Sequence, residues 1–323
     1  MRTLAPWLLV LCVITLSACG GGDHHGGPDA STDTSDASEP DDGAPYDGSW
    51  EPPVLRSITA ATAVELAQYA RKARTLATGS QELTQAWSLV NVSCVERALV
   101  LDWLIAVAPA TLAGAPAAVV RTEDLTDQRI AQLIASPTYD SAIIMIAGPL
   151  VAEQTIHEPG GNAIPGDPIV LGWPYHFGAV VAVDGVVKVI DLSVGDTPLE
   201  IDAWAHSFVD PAEPCYLMAD DEFFKVWAYW ISVTSSWVPD ARPPRVCGYQ
   251  IYPFMRTRGD QPATADQINS IPWTLETQHG SFETTLGERG VTPTDAELPN
   301  YRSTYHPLPE ADICRIWDYA YCH

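Results

Sequence analysis

The most regular pattern of hydrophobic and polar positions surrounds the dipeptide Asp184-Gly185. Apolar, β-branched runs flank it, and an Asp-Gly pair between such runs favours a two-residue type I′ turn, so residues 173–193 are predicted to form a β-hairpin. The short connection fixes the register, and side-chain alternation puts His176 and Asp191 on one face as diagonal neighbours, roughly 7–8 Å apart at the backbone. We therefore expect a hydrogen bond between them. The opposite face is almost wholly apolar and is predicted to be core.

A second distinctive pattern places a cysteine at the start of a helix. Ser93 and Glu96 have the spacing of a capping box, which predicts a helix with Cys94 at its first position. A helix N-terminus contributes about 0.3–1 kcal/mol, whereas one pKa unit corresponds to about 1.4 kcal/mol, so the dipole alone cannot lower the pKa of a thiol far. A cationic partner is needed to form the thiolate, and an imidazole held by a carboxylate has the right chemistry.

The remaining patterns predict an α+β fold with N-terminal helices and an antiparallel sheet. An amphipathic helix is expected within residues 57–76, capped by Thr62 and Glu65. The later predictions are a short helix over 125–135, a buried strand over 142–147, a Gly- and Pro-rich loop over 157–172, and helices near 201–208 and 220–230. From residue 232 the periodicity fades, so the C-terminal region is predicted to be loop-rich.

The N-terminus has the features of an export signal. Its apolar run is too short to span a bilayer comfortably, which favours a cleaved signal peptide over residues 1–18. Leu16-Ser17-Ala18-Cys19 resembles a bacterial lipobox, which implies a lipid on Cys19 and a place in the outer membrane or on the surface of a Gram-negative cell; a plain secretory signal is the alternative. Residues 19–53 carry many Asp and no Lys or Arg, so a disordered acidic tether is expected.

The expected role of each cysteine depends on export of the chain to an oxidising compartment. Of the seven, Cys12 leaves with the signal and Cys19 takes the lipid. Disulfides are expected in an oxidising compartment, and four candidates lie in the C-terminal third, with pairings that the sequence leaves open: Cys215, Cys247, Cys314 and Cys322. Cys94 is left over, and a free thiol there is expected to be buried or used.

Charge limits the possible partners. The formal net charge is −24, with 17 basic against 41 acidic residues. A chain without a basic cluster cannot neutralise a phosphate backbone, so nucleic acid is an improbable partner. No metal or cofactor is implied, and a monomer is expected.

Four short motifs follow one another along the chain in an order typical of one enzyme family. They are Cys94-x-x-Arg97-Ala98, Trp173-x-Tyr175-His176, Val189-Ile190-Asp191-x-Ser193 and Asp202-Ala203-Trp204. Together they resemble the secreted bacterial protein glutaminases, over roughly residues 57–208. The resemblance implies a papain- or transglutaminase-like core with a Cys-His-Asp triad. Leu192 stands where that family usually has Pro, and residues 122–172 form an expanded interval that puts the specificity of the cleft in question.

Carried onto this chain, the resemblance assigns a role to each matched residue. Cys94 becomes the nucleophile, His176 the general base and acid, and Asp191 the orienting carboxylate. Substrate or oxyanion support falls to Ser93, Arg97, Trp173 and Tyr175, and for Arg97 a structural role is slightly preferred. The second oxyanion donor is not identified.

The predicted organisation and function follow from this assignment. A catalytic domain is expected over residues 54–230, with a loop-rich, disulfide-stapled extension over residues 231–323 packed on it. The predicted activity is hydrolysis of glutamine side-chain amides in proteins or peptides, with release of ammonia from a cysteine thioester. The alternatives are a transglutaminase or a papain-like cysteine protease with the same triad, or an inactive surface binding module.

Overall fold

The computed structural model describes residues 52–76, 82–84, 87–88, 94–121, 139–234, 247–252 and 279–309. They form a mixed α/β fold. The helices are α1 (Ala60–Arg71), α2 (Cys94–Ala106), α3 (Ile201–Ala205) and α4 (Asp220–Thr234), with a helical segment over residues 279–288 and a 3₁₀ turn at Leu298–Asn300. The strands are β1 (Ser57–Ile58), β2 (Arg74–Leu76), β3 (Glu82–Thr84), β4 (Val119–Val120), β5 (Ala142–His157), β6 (Ile169–Val183), β7 (Val186–Ile190), β8 (Leu199–Glu200), β9 (Cys215–Leu217), β10 (Cys247–Tyr252) and β11 (Arg302–Pro307).

Some sequence predictions fall outside the described residues. These are the signal peptide, the lipidated Cys19, the tether, Ser93, the helix predicted over 125–135, Cys314 and Cys322. Among the described residues, no helix combines the length and apolarity needed to cross a membrane.

A large sheet built around β5 and β6 dominates the described residues. Its strand order is β8-β7-β6-β5-β10-β9, and β1 adds to β6 in parallel while β11 adds to β5. Strands β5 and β6 pair antiparallel along most of their length, with an irregularity between Ala147 and Leu150. A separate small sheet contains β2, β3 and β4.

The hairpin predicted around Asp184-Gly185 is confirmed. Val183 pairs with Val186, and the register runs without a shift to Ala179 opposite Ile190. Both central residues of the turn have positive φ, 51° for Asp184 and 85° for Gly185, as a type I′ turn requires. Because β7 ends at Ile190, the edge of β6 that faced it has no strand partner among the described residues before Ala179.

The two faces of this hairpin pack against different layers. One face, with Ala179, Val181, Val183 and Ile190, joins the core formed with α1 and α2. The other face joins a second core, with Val180 and Val189 packed among Ile144, Ile146, Trp204 and Phe208. Strict alternation along β6 therefore separates two hydrophobic cores, and the predicted apolar face is the one that α2 covers.

The structure corrects two predicted elements of the first half. Helix α1 begins at Ala60 with Thr59 as its N-cap, not at Thr62, and its buried face is Ala63, Leu66, Ala67 and Ala70. The strand predicted over 142–147 continues to His157, and the loop predicted over 157–172 is shorter because β6 already begins at Ile169. Pairing between β5 and β6, which extends to Gln154 opposite Ile169, supplies hydrogen bonds that local Gly and Pro content does not reveal.

The prediction of a loop-rich C-terminal region is wrong for its described part. Strands β10 and β11 both pair antiparallel with β5, next to each other along its free edge. The C-terminal part therefore completes the main sheet instead of packing on it as an extension. Both strands are six residues long and lie among turn-forming residues, so their local pattern is weak and only pairing with β5 determines their conformation.

A disulfide joins two neighbouring strands of the same sheet. Cys215 and Cys247 are bonded, and they are register partners in β9 and β10. This resolves one of the pairings that the sequence left open. Cys94 is the cysteine of the described residues that forms no disulfide, as expected.

Gly178 provides a test of how tightly the hairpin packs. An added Cβ would lie 2.8 Å from Val189 Cγ1 and 3.4 Å from Trp204 Cζ2, so Gly178→Ala should lower the free energy of unfolding by about 1–3 kcal/mol. Gly195→Ala is the matched control, since a Cβ at Gly195 meets no atom within 4 Å. Urea unfolding of both variants checks this; equal stabilities would contradict the packing described.

Candidate active site

The expected contact across the hairpin is present. His176 Nε2 lies 2.8 Å from Asp191 Oδ2, and both side chains are buried. His176 lies in β6 and Asp191 directly follows β7, at the edge of the sheet that β7 leaves open. Because Nε2 faces the carboxylate, it carries the ring proton, and Nδ1 is left as the proton acceptor of the neutral imidazole.

Asp191 accepts several further hydrogen bonds. The backbone N–H and the hydroxyl of Ser193 donate to Oδ1 at 2.9 and 2.5 Å, and Trp204 Nε1 donates to Oδ2 at 2.9 Å. Burial by itself raises the pKa of Asp191, but the facing imidazole and the hydrogen bonds from His176, Ser193 and Trp204 outweigh it and hold the pKa well below its usual range. Asp191 is therefore ionised at neutral pH.

Aromatic rings fix the plane of the His176 imidazole. The ring of Phe208 lies 4.7 Å from it between centroids, Trp204 lies at 5.8 Å, and Trp173 lies at 6.2 Å. Trp204 thus contacts both members of the pair, by its ring and by its N–H. Val189 and Trp204 occupy the space above Gly178, in the same strand as His176.

Cys94 reaches the same place from α2. It is the first residue of that helix, as predicted, and only 2% of its surface is exposed. A narrow cavity of about 10 Å³ is lined by Cys94, His176 and Asp191 together with Trp87, Arg97 and Ser193. His176 Nδ1 is buried and has no hydrogen-bond partner in the described part of the chain, and both His176 and Cys94 are among the residues that line the cavity.

The predicted supporting residues differ in whether they line the cavity. Arg97 lines the cavity, but it is buried rather than exposed at the helix end, and its Nη1 donates to the backbone carbonyl of Trp87 at 3.1 Å. Trp173 and Tyr175 do not line it. Trp173 packs on Phe208 behind His176, and the Tyr175 ring contacts Phe177 and Trp227. Strand alternation puts Tyr175 on the face of β6 opposite to His176, whereas Trp173 contacts the His176 ring but does not reach the cavity.

Arg71 anchors the loop that follows Asp191, a role that no sequence pattern indicated. From the last turn of α1 its Nη2 donates to the carbonyls of Leu192 and Gly195, at 2.8 and 3.1 Å, and its Nε pairs with Asp196 at 2.6 Å. Arg302 in β11 pairs with the same Asp196. Burial, the largest effect, and the charge of Arg302 both lower the pKa of Arg71, and Asp196 opposes them. The resulting pKa is about 10. Arg71 therefore remains a cation and fixes the loop that carries Asp191.

A second buried network holds the segment Trp87-Ser88 against the sheet. Gln154 Nε2 and Ser303 Oγ each donate to the carbonyl of Ser88 at 2.7 Å, and Ser88 Oγ donates to the carbonyl of Tyr301 at 2.6 Å. With the contact from Arg97, both residues of the segment are tied to neighbouring elements. The position of Trp87 beside the cavity is thus fixed from two sides.

Metal-binding side chains converge elsewhere. Among the described residues, His279, Glu283 and Asp295 have candidate ligand atoms within 4.8 Å of one another. The Glu283 and Asp295 side chains are 47% and 65% exposed, and an i,i+4 contact between His279 and Glu283 accounts for part of the arrangement. None of the three lines the cavity.

A buried carboxyl lies within α2 itself. Asp102 is fully buried, Ser141 donates to one of its oxygens, and the other oxygen has no partner in the described residues. Burial raises the pKa of Asp102 to about 7, despite the opposing hydrogen bond from Ser141. Folding therefore favours the protonated carboxyl.

This pKa makes the stability of the protein depend on pH. The contribution of Asp102 is fully present below its unfolded pKa, near 3.8, and is lost as the pH rises toward about 7. Relative to Asp102→Asn, the wild type should lose up to about 1.4 kcal/mol per pH unit over that window and nothing further above it. Urea unfolding of both proteins from pH 4.5 to 8 measures the difference; a difference independent of pH would contradict it.

Comparison with known proteins yields two structures and no sequence match. No protein-family model matches the chain, and no curated protein matches it. A crystal structure of a mutant pro-protein-glutaminase is 12% identical with a TM-score of 0.36, over 77% of this chain and 65% of that one. A crystal structure of protein-glutaminase is 13% identical with a TM-score of 0.34, over 70% of this chain and 89% of that one. The chain thus spans just under two thirds of the first of these proteins, and likeness at this level does not establish family membership.

Proposed function

We propose that this chain is an amidase that hydrolyses the side-chain amide of glutamine in proteins or peptides through a thioester on Cys94, on a papain- or transglutaminase-like core. One observation carries the proposal: a single cavity brings together a thiol at a helix N-terminus and an imidazole whose far nitrogen is bonded to a buried carboxylate. This grouping supports the roles of nucleophile for Cys94, base for His176 and orienting group for Asp191 in acyl transfer.

The first chemical step is formation of the nucleophile. His176 Nδ1 accepts the proton of the Cys94 thiol, and the ionised Asp191 stabilises the resulting imidazolium through Nε2. The helix N-terminus favours the thiolate further. Ser193 and Trp204 keep Asp191 in place, so the carboxylate cannot turn away from the ring.

Acylation and hydrolysis then follow, and each begins with addition of a nucleophile to a carbonyl carbon. The thiolate forms a bond to the carboxamide carbon, and the π electrons move to the oxygen. Collapse of this intermediate breaks the C–N bond as the imidazolium gives its proton to the nitrogen, which leaves as ammonia. Water, losing a proton to His176, attacks the thioester; breakage of the C–S bond then regenerates Cys94 and yields glutamate. The backbone N–H of Cys94 supplies one donor to the oxyanion in both steps.

The size of the cavity limits how substrate binds. A cavity of about 10 Å³ accommodates about one water, so a glutamine side chain binds only when the surrounding groups separate. The choice of a glutamine side chain rests on the sequence pattern Trp173-x-Tyr175-His176 and on Val95, which stands where transglutaminases have an aromatic residue after the nucleophile. With a lipid on Cys19, we place the activity on the outer membrane or cell surface, facing protein substrates and no nucleic acid.

Incubation with a glutamine-rich protein tests the activity. The mature chain should release ammonia and raise the intact mass of the substrate by about 1 Da per site, and Cys94→Ala should abolish both by removing the nucleophile. Ammonia assay and intact mass spectrometry provide the measurement. Cross-linked substrate would indicate a transglutaminase, fragments a protease, and an unchanged substrate a binding module; each would overturn the proposal.

The Asp191 carboxylate should matter for rate more than for substrate binding. Asp191→Asn removes the charge that stabilises the imidazolium, so kcat should fall by about 10²–10⁴ with a small change in KM. Asp221→Asn is the matched control, since the Asp221 side chain is 79% exposed on α4 and its carboxylate lies 3.5 Å from Lys225 Nζ. Steady-state ammonia release compares the two, and equal rates would rule out the role given to Asp191.

A further inference from the structure

Three metal-binding side chains converge at a place that does not line the cavity. His279 and Glu283 lie one turn apart on the helical segment over residues 279–288. Asp295 lies later in the chain, in the turn before Leu298, and candidate ligand atoms of the three lie within 4.8 Å of one another. The i,i+4 spacing explains why the first two share a face of the helix, as in helical metal motifs. It does not bring in Asp295, which only the tertiary structure adds.

Both carboxylates face the same ring nitrogen. His279 Nε2 lies 3.6 Å from Glu283 Oε1 and 4.0 Å from Asp295 Oδ1. Neither separation is that of a hydrogen bond, which between the imidazole of His176 and the carboxylate of Asp191 measures 2.8 Å. Two ligand atoms about 2.1 Å from one ion lie about 3.4 Å apart at a tetrahedral angle. The separations around His279 are thus closer to those of ligands that share an ion than to those of groups that share a proton.

The imidazole is buried and the two carboxylates are accessible. The His279 side chain is 9% exposed, whereas those of Glu283 and Asp295 are 47% and 65% exposed. The covered ring therefore directs one nitrogen toward two acidic side chains that can rotate by the few tenths of an ångström that coordination requires. Their exposed side leaves a position for water, as in zinc sites with three protein ligands.

Packing and hydrogen bonds hold together the two elements that carry the ligands. Phe282 of the helix is buried in one hydrophobic cluster with Leu298. The backbone N–H and the hydroxyl of Thr294 both donate to Glu297 Oε2 at 2.8 Å, which closes the turn that contains Asp295. Ligands on elements that folding already brings together lose little freedom when an ion binds, so the site is preorganised.

The ligand set indicates the class of ion. Imidazole nitrogen suits Zn²⁺ and its neighbours among the transition metals, whereas Ca²⁺ and Mg²⁺ take oxygen ligands. The net charge of −24 further favours a cation. We propose that His279, Glu283 and Asp295 form a binding site for a divalent transition-metal ion, with Zn²⁺ as the ion that fits best, and that this ion joins helix 279–288 to the turn before Leu298. This inference is independent of the proposed function.

The expected role of the ion is structural. The segment that follows the turn contacts elements on both sides of the cavity: Arg71 Nη1 donates to the carbonyl of Pro299 at 3.3 Å, and Ser88 Oγ donates to the carbonyl of Tyr301 at 2.6 Å. An ion that binds only the folded chain stabilises it by mass action. Binding at this site should therefore raise the stability of the fold around the cavity without touching the cavity itself.

Two matched pairs of variants test the site. Glu283→Gln removes the charge of one ligand, and Glu288→Gln makes the same change on the same helix outside the cluster. Asp295→Asn removes the charge of the ligand on the other element, and Asp221→Asn makes the same change on α4. All four side chains are exposed, so each variant should fold.

The measurement uses the full mature chain and Zn²⁺ alone. Equilibrium dialysis with metal analysis counts the bound ions, and thermal unfolding in the same buffer reports stability. We expect Glu283→Gln and Asp295→Asn each to bind this ion at least about tenfold more weakly, while both controls retain it. Saturating Zn²⁺ should raise the Tm of the wild type and of the controls by about 5 °C or more and leave the two ligand variants nearly unchanged. His24 and His25 are present in every variant, so any binding to them cancels in the comparison.

The other outcomes overturn separate parts of the inference. Equal Zn²⁺ binding by ligand variants and controls refutes the site. Tighter binding of Ca²⁺ than of Zn²⁺, tested in the same dialysis, refutes the choice of ion. Zn²⁺ binding that the ligand variants lose, but that leaves the Tm of the wild type unchanged, refutes the structural role. None of these measurements involves a substrate or Cys94, so their failure is distinct from a failure of amide hydrolysis.

Discussion

The site depends on keeping a carboxylate ionised inside the protein. Burial alone would neutralise Asp191, and the charge persists because donors from His176, Ser193 and Trp204 converge on its two oxygens. Each donor that is lost leaves a buried charge with fewer partners, which costs about 1–3 kcal/mol or more. The ionised carboxylate in turn determines which nitrogen of His176 carries the proton, and hence which nitrogen faces the cavity. The orientation of the His176 ring thus depends on the hydrogen bonds that stabilise the Asp191 carboxylate.

Much of the surrounding structure serves to hold that arrangement in place. Asp191 lies just beyond the end of β7, where strand pairing no longer fixes the chain, and Arg71 from α1 substitutes for it by binding the carbonyls of Leu192 and Gly195. Asp196 and Arg302 extend this anchor to β11. Strand β11 also supplies Ser303, which holds the Trp87-Ser88 segment. The C-terminal strands therefore stabilise both sides of the cavity, although they contribute no residue to its lining.

Buried polar groups without a hydrogen-bond partner have different environments in different parts of this molecule. His176 and Trp87 line the cavity together with Cys94, and each has a buried ring nitrogen without a hydrogen-bond partner in the described residues. In α2, the unpaired oxygen of Asp102 faces no such space, and the carboxyl responds by holding its proton up to about pH 7. Among the buried groups without a partner, Asp102 therefore keeps its proton, whereas His176 and Trp87 belong to the lining of the cavity.

The sequence by itself determined the features that depend on neighbours in the chain. Asp184-Gly185 determined the turn and thereby the register, which made His176 and Asp191 diagonal neighbours, and the helix start at Cys94 followed from local spacing. Tertiary structure alone decided that β10 and β11 complete the sheet, that Arg71 and Trp204 hold the Asp191 loop and carboxylate, and that Trp87 lines the cavity while Tyr175 does not. The reason is physical: periodicity and turn chemistry act over a few residues, whereas the partners of a buried polar group come from wherever the chain returns to it.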